Sequence, residues 1–218
     1  MKARAVVRRA AAVRPTRDVI LDAAERRFAE RGFSGVSVRE IASDAGLKNQ
    51  ASLYHHFKNK KALYEAVLIR GVGPMIEMVA SSQTPGDLSD PVLDRIVDYL
   101  AAHPNLPRLI QRAGLDDTKL LRSTVHKLLA PLYTSGLRVL AGSGADWDPA
   151  DMPHLAAGLY HLIFGYFANA SLLEVVLPED PRSPTALARQ AQFLKTAVAR
   201  MLGGNAVMAT TPAAKSSR

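Results

Sequence analysis

Hydrophobic positions recur along this chain at helical spacing. Ile20, Ala23, Ala24 and Phe28 make the inward stripe of a first helix, predicted over 17–31, with Thr16 as its cap, Pro15 outside it and Gly32 as its end. Ile41, Ala42 and Ala45 give a second helix one apolar side, and Gly46 breaks it where a left-handed residue is needed. Leu47 drops inward as the chain turns. Leu53 and Phe57, one turn apart, supply the buried side of a third helix. A fourth starts near Asn59 and runs through Leu63, Tyr64, Val67 and Leu68 until Gly71, Gly73 and Pro74 interrupt it.

Beyond a loop at 81–91, a cap followed by proline at the first helical position recurs at Asp90-Pro91, Asp148-Pro149 and Ser183-Pro184. Helices are predicted near 91–102, 106–114, 117–141, 150–177 and 184–202, with Pro131 bending the third of these. No segment sustains strand alternation with hairpin turns. The fold class is therefore all-α, with about nine helices and no internal repeat.

The polar positions between 37 and 57 carry the chemistry. Ser37 and Glu40 spell a capping box, and Val36 with Ile41 can form the hydrophobic staple beside it. Asn49 can cap the next helix through its side-chain oxygen. With Leu53 and Phe57 turned inward, Gln50, Ala51, Ser52, Tyr54 and His55 are left on the other faces. That is the pattern of a helix-turn-helix, whose second helix enters the DNA major groove.

The run from Thr16 to Leu68 resembles the DNA-binding domain of the tetracycline-repressor (TetR) family of transcription regulators. The matching pieces are ILDAAERRFAERGF, SVREIASDAGL and SLYHHFKNKKALYEAVL. One departure is local. The common form has Ser as the third helix's cap and one residue fewer between the turn glycine and Leu-Tyr. Here Lys48 stands where that Ser is expected, which moves the cap to Asn49. The resemblance implies a three-helix helix-turn-helix DNA-binding domain over 16–70, then a helical ligand-binding and dimerisation domain over 71–203. Residues 1–15 read as a disordered basic arm and 204–218 as a disordered tail.

Charge supports this division. The chain has 218 residues and a net charge of +8. Residues 1–70 hold fifteen Lys and Arg against seven Asp and Glu, which is the whole surplus; the remainder is balanced at thirteen of each. Such asymmetry is the footprint of a polyanion-binding module beside a neutral one. Arg4, Arg8, Arg9 and Arg14 of the arm would follow the DNA backbone or enter a minor groove, or else belong to a mobile tail that touches nothing specific. Gln50, Ser52, Tyr54 and Lys48 would face base edges, since Gln reads adenine and Lys reads guanine. Ser37, Arg39, Tyr54, His55, Lys58, Lys60 and Lys61 would hold phosphates. Asn49 and Ala51 complete the expected DNA-facing set. Lys58, Lys60 and Lys61 crowd a helix start, where cations oppose the macrodipole unless an anion sits there.

The body carries no Gly-rich phosphate loop, no HExxH and no GxSxG, so no enzyme is expected. Cys is absent, which excludes disulfides and thiolate zinc. His55 and His56 point about 100° apart on a helix and cannot chelate together. No metal or cofactor is expected. Met75, Met78, Ile110, Leu128, Tyr133, Leu137, Tyr160, Phe164 and Phe167 are the candidate lining of a pocket for a small hydrophobic effector. The helices over 151–177 and 185–202 are apolar nearly all round. The resemblance implies that they pair across a two-fold axis, through Leu155, Leu159, Leu162, Tyr166, Leu173, Leu194, Val198 and Met201.

The expected partners are thus double-stranded DNA carrying a palindromic operator, a second copy of the chain, and the effector. No membrane is expected, because no run of eighteen apolar residues occurs and the basic start lacks a signal-length apolar core. A cytoplasmic, nucleoid-associated repressor fits. The rival from another class is a non-specific architectural DNA-binding dimer without an effector.

Overall fold

The computed structural model describes residues 14–81, 90–115, 119–142 and 147–202. The expected arm, apart from Arg14 and Pro15, and the expected tail lie outside the described residues, as does most of the 81–91 loop. Ten helices and no strand are found among the described residues. They are α1 (Thr16–Arg31), α2 (Val38–Asp44), α3 (Ala51–Tyr54), α4 (Lys60–Ala80), α5 (Asp90–Ala102), α6 (Asn105–Leu115), α7 (Lys119–Ala141), α8 (Met152–Ala168), α9 (Ala170–Leu173) and α10 (Pro184–Met201). None of them is long and apolar enough to cross a membrane. The chain forms two compact units, Met1–Val67 and Leu68–Arg218.

In the first unit, Ile20, Leu21, Ala23, Ala24 and Phe28 of α1 are buried with Ile41, Leu53, Phe57 and Leu63. Tyr64 meets Phe28 edge-on at 4.9 Å and Phe33 at 5.2 Å. The Arg17 guanidinium lies 5.1 Å over the Phe57 ring. Each of these large side chains contributes about 1.5–3 kcal/mol on burial, which outweighs the weak propensities of such short helices. Thr16 is not the cap expected of it. It is the first helical residue, and the Pro15 carbonyl accepts from the amides of Asp18 and Val19.

In the second unit one apolar cluster is assembled from Val72, Met75 and Val79 of α4, Ile96 and Leu100 of α5, Leu106 and Ile110 of α6, Val139 of α7, Phe164 and Phe167 of α8, and Leu194 of α10. A second joins Leu93, Leu140, Leu155, Leu159 and Val198. The helix ends are tied by single polar contacts. Ser183 caps α10 with Pro184 following, as expected, and the Trp147 indole donates to the Met201 carbonyl at 2.6 Å. Lys195 reaches Asp94 at 2.9 Å.

Three expectations about helix continuity are corrected. Gly71, Gly73 and Pro74 do not interrupt α4, which runs on to Ala80. Pro74 has no amide to donate within the helix, and nearby the Tyr99 hydroxyl donates to the Gly71 carbonyl at 2.9 Å. Asp148-Pro149 makes a turn ahead of α8, not its first helical residues; Asp148 Oδ1 accepts from the Ala150 amide, and Asp151 stands at the N-cap. The long helix expected to 177 breaks at Asn169, whose side chain donates to the Gly165 carbonyl at 3.0 Å and competes with the backbone ladder.

Gly71 is fixed by close approach. A Cβ there would stand 2.4 Å from Leu106 Cδ1, and Leu106 is itself buried in the core. Gly71→Ala should therefore lower unfolding free energy by about 1–3 kcal/mol through overpacking. Urea denaturation checks this, and an unchanged midpoint would show that Leu106 can withdraw freely.

Candidate functional site

The segment from Ser37 to Asn59 is shaped by caps. Ser37 Oγ accepts from the Glu40 amide, while the Ser37 amide and hydroxyl both donate to the Glu40 carboxylate at 2.8 and 2.7 Å, so the capping box is complete. The same carboxylate accepts from Arg31 of α1 at 2.6 Å. At the other end of α2, Asp44 accepts a bidentate pair from Arg27. A seven-residue helix is too short to persist alone; α2 is held to α1 by an ion pair at each end.

Gly46 then takes φ +70. Its amide bonds the Ser43 carbonyl and the Leu47 amide bonds that of Ala42, the paired bonds of a left-handed helix stop. Leu47 is half-buried, not fully in the core. Asn49 Oδ1 accepts from the Ser52 amide at 3.0 Å and the Ser52 hydroxyl at 3.2 Å. The cap is therefore at Asn49, and Lys48 is the extra residue of the turn. The helix it starts is shorter than expected: α3 ends at Tyr54, and Phe57 is carried inward by one further bond to the Leu53 carbonyl.

With Leu53 and Phe57 buried, Arg39, Lys48, Asn49, Gln50, Ala51, His55 and Lys58 are exposed, and Tyr54 is 47% exposed. Arg39, Lys48, Asn49 and Gln50 share one cleft of about 490 Å³ between α2 and the turn. Ser37 is exposed, but its hydroxyl is engaged on both sides by Glu40. Ser52 is half-buried, with its hydroxyl given to Asn49. Neither hydroxyl is as available for DNA as the sequence suggested. Two of the three lysines at the start of α4 are engaged within their own chain. Lys60 lies 4.3 Å over the Phe33 ring, Lys61 stands 3.6 Å from Glu65, and Asn59 Oδ1 occupies the Ala62 amide. Arg14, the described member of the basic arm, pairs with Asp22 at 2.7 Å.

In the second unit a cavity of about 100 Å³ lies among α4, α5, α7, α8 and α10. Met75, Tyr133, Tyr160 and Phe164 line it, as expected. Val79, Leu93, Ile96 and Leu132, which sequence reasoning missed, line it too. The apolar spacing of Leu93 and Ile96 on α5 was the available signal. Ile110 belongs to the solid core, with Met78 packed against it. Leu128 and Leu137 are half-buried on α7 away from the lining. Phe167 faces a separate recess of about 30 Å³ with Leu100, Pro104 and Leu187.

The expected dimer set divides. Leu155, Leu159, Leu194 and Val198 are buried in the chain's own core. Leu162, Tyr166, Leu173 and Met201 are half-buried, and the Tyr166 hydroxyl is tied to the Pro181 carbonyl at 2.7 Å. The large apolar side chains that do reach the surface here include Phe193, at 52% exposure, and Leu172, Val175 and Val176. His103 Nδ1 donates to the Tyr99 carbonyl, 2.8 Å away, and His161 sits edge-on to Tyr160.

Glu40 links this geometry to pH. Its carboxyl is held down at about 2 by the Ser37 hydroxyl, then by Arg31 and the Ser37 amide. A folded pKa below the unfolded one contributes stability above the ordinary carboxylate range, and that stability is lost as pH falls toward the folded value. The melting temperature should therefore decline between about pH 5 and pH 2. Glu40→Gln, which keeps the cap acceptor, should flatten that decline; equal acid slopes for both proteins would contradict the assignment.

Comparison with known proteins places this segment. The family described as "Bacterial regulatory proteins, tetR family" matches residues 20–67. The "Probable HTH-type transcriptional regulator YttP" of Bacillus subtilis is 28% identical over 177 residues, covering 78% of this chain and 85% of that one. The "HTH-type transcriptional repressor SCO4008" of Streptomyces coelicolor is 33% identical over 101 residues, 46% of this chain and 50% of that one. The solved structure of SCO4942 from Streptomyces coelicolor is 29% identical, with a TM-score of 0.58 over 86% of this chain and 98% of that one. A transcriptional regulator from Aquifex aeolicus VF5 has a TM-score of 0.59 at 19% identity over 84% of this chain and 99% of that one, a likeness of fold alone.

Proposed function

Because the chain belongs to the TetR family of bacterial regulatory proteins, DNA-binding regulators and not enzymes, we propose that it is a repressor released from its operator by a small hydrophobic effector. The observation that carries this is the capped turn. Asn49 and Gly46 fix a short helix whose apolar residues are buried and whose Gln50 and Tyr54 face outward. SCO4008, which it resembles over half that protein's length, is named a repressor.

In this reading Gln50 and Lys48 are the principal readers of base edges, with Tyr54 and Ser52 beside them. Arg39, His55 and Lys58 hold phosphates, with Lys60, Lys61 and Ser37 in lesser roles because their own chain already engages them. Two copies act together, since two α3 segments must meet successive major grooves about 34–36 Å apart and the operator then mirrors the two-fold. Such a regulator works in the cytoplasm at the nucleoid. The effector enters the cavity of the second unit and favours a state whose α3 spacing misses the grooves. Moving that equilibrium from 1:99 to 99:1 takes roughly a 10⁴-fold preference, about 5.5 kcal/mol.

Selection of bound duplexes from random DNA tests the assignment, and one palindrome should emerge; diffuse footprints would favour a non-specific architectural role. On the selected duplex, Gln50→Ala should cost about 1–3 kcal/mol and relax preference at one base position. A loss uniform over all sequences would move Gln50 to the backbone. Lys58→Ala should weaken every sequence alike and reduce the salt slope by about one. Titration at several salt concentrations measures this, and an unaltered slope removes Lys58 from the phosphate contacts.

A further inference from the structure

Arg17 belongs to none of the surfaces assigned so far. It lies exposed in the first turn of α1, with its guanidinium 5.1 Å over the ring of Phe57. Other arginines of the first unit are spent on acids: Arg14 on Asp22, Arg27 on Asp44 and Arg31 on Glu40. Among the described residues no acid forms an ion pair with Arg17. The difference is electrostatic. An acid partner neutralises a cation before DNA arrives, so such a pair displaces few counterions from a duplex. An aromatic face holds a guanidinium through the ring quadrupole and leaves its net charge and its in-plane N–H donors unspent.

Phe57 also fixes where that charge stands. The ring is 5% exposed, and its amide donates to the Leu53 carbonyl. In the chain it lies between His55 and Lys58, both exposed and both read above as phosphate holders. The start of α1 thus adds a guanidinium to the same edge of the helix-turn-helix. Its planar fork suits two phosphate oxygens at once, which an ammonium does not.

Resting on the regulator reading above, we propose that Arg17 is a further contact to the DNA backbone: held by the Phe57 ring, it clamps a phosphate beside the one that Lys58 holds. It positions the duplex and reads none of its sequence.

Fluorescence anisotropy of the full chain on the selected duplex, at several salt concentrations, tests this. Arg17→Met removes the charge and keeps an unbranched apolar chain against Phe57. It should weaken every sequence alike, roughly tenfold, and make the plot of log affinity against log salt shallower by about one per bound copy. Arg17→Lys should keep the slope and lose only a few-fold in affinity, because the charge remains and the fork does not. If the Met variant does not melt cooperatively, Arg17→Gln takes its place. A wild-type slope in the folded neutral variant overturns the contact, and so does a loss confined to one base position. Lys58→Ala serves as the reference. A slope that responds to Lys58 and not to Arg17 removes Arg17 alone, whereas failure of the wild-type chain to select any duplex removes the regulator reading and this contact with it.

Discussion

Everything that α3 presents depends on how α2 is held. Seven residues cannot sustain a helix by their own hydrogen bonds. The Glu40 carboxylate closes the box on Ser37 and at the same time binds Arg31, while Asp44 binds Arg27 at the far end. Both anchors lie on α1, whose apolar side is buried. Fixing α2 fixes the position of Gly46, and the left-handed turn there sets the direction in which Asn49 starts the next helix. These acids on α2 also face arginines of their own domain, so they leave the exposed Arg39, Lys48 and Lys58 to define the field around the turn.

The second unit is organised by close approach instead of by caps. Gly71 admits Leu106 against α4, the Tyr99 hydroxyl donates to the Gly71 carbonyl, and α4 stays helical through Pro74. The helices α5, α7, α8 and α10 meet around this and do not fill the space between them completely. What remains is a cavity with almost wholly apolar walls.

Most local capping signals were legible in the sequence, though the Thr16 cap, the Asp148-Pro149 start and the Asn169 break were not. Ser37 with Glu40, Gly46, Asn49, Asn59 and Ser183-Pro184 each act on a backbone group within five residues, so the residues alone announce the geometry. The break at Asn169 was missed because an asparagine inside an apolar run competes with the ladder only when its side chain finds the Gly165 carbonyl. Pro74 misled because what a proline costs a helix is set by the packing around it, which the sequence does not show. Periodicity marked α8 and α10 as apolar on several faces, but not which face meets the chain's own core. Leu155, Leu159, Leu194 and Val198 went inside, while Phe193 stayed out. The same limit explains the pocket. Tyr160 and Phe164 were found as large apolar residues, whereas Leu93 and Ile96 became wall residues only through the packing of α5. Lys60 was read as facing an anion, and its contact with the ring of Phe33, twenty-seven positions earlier, had no signal in the sequence.

The central claim is that the capped turn and the short helix after it form the surface that reads a duplex. Backbone amide NMR of the full chain, titrated with a duplex recovered from random DNA, tests it most directly. The account predicts that the largest shifts fall on Arg39 and on residues 48–58, with the interior of α1 little changed. Shifts confined to other parts of the chain, or none at low ionic strength, would contradict it.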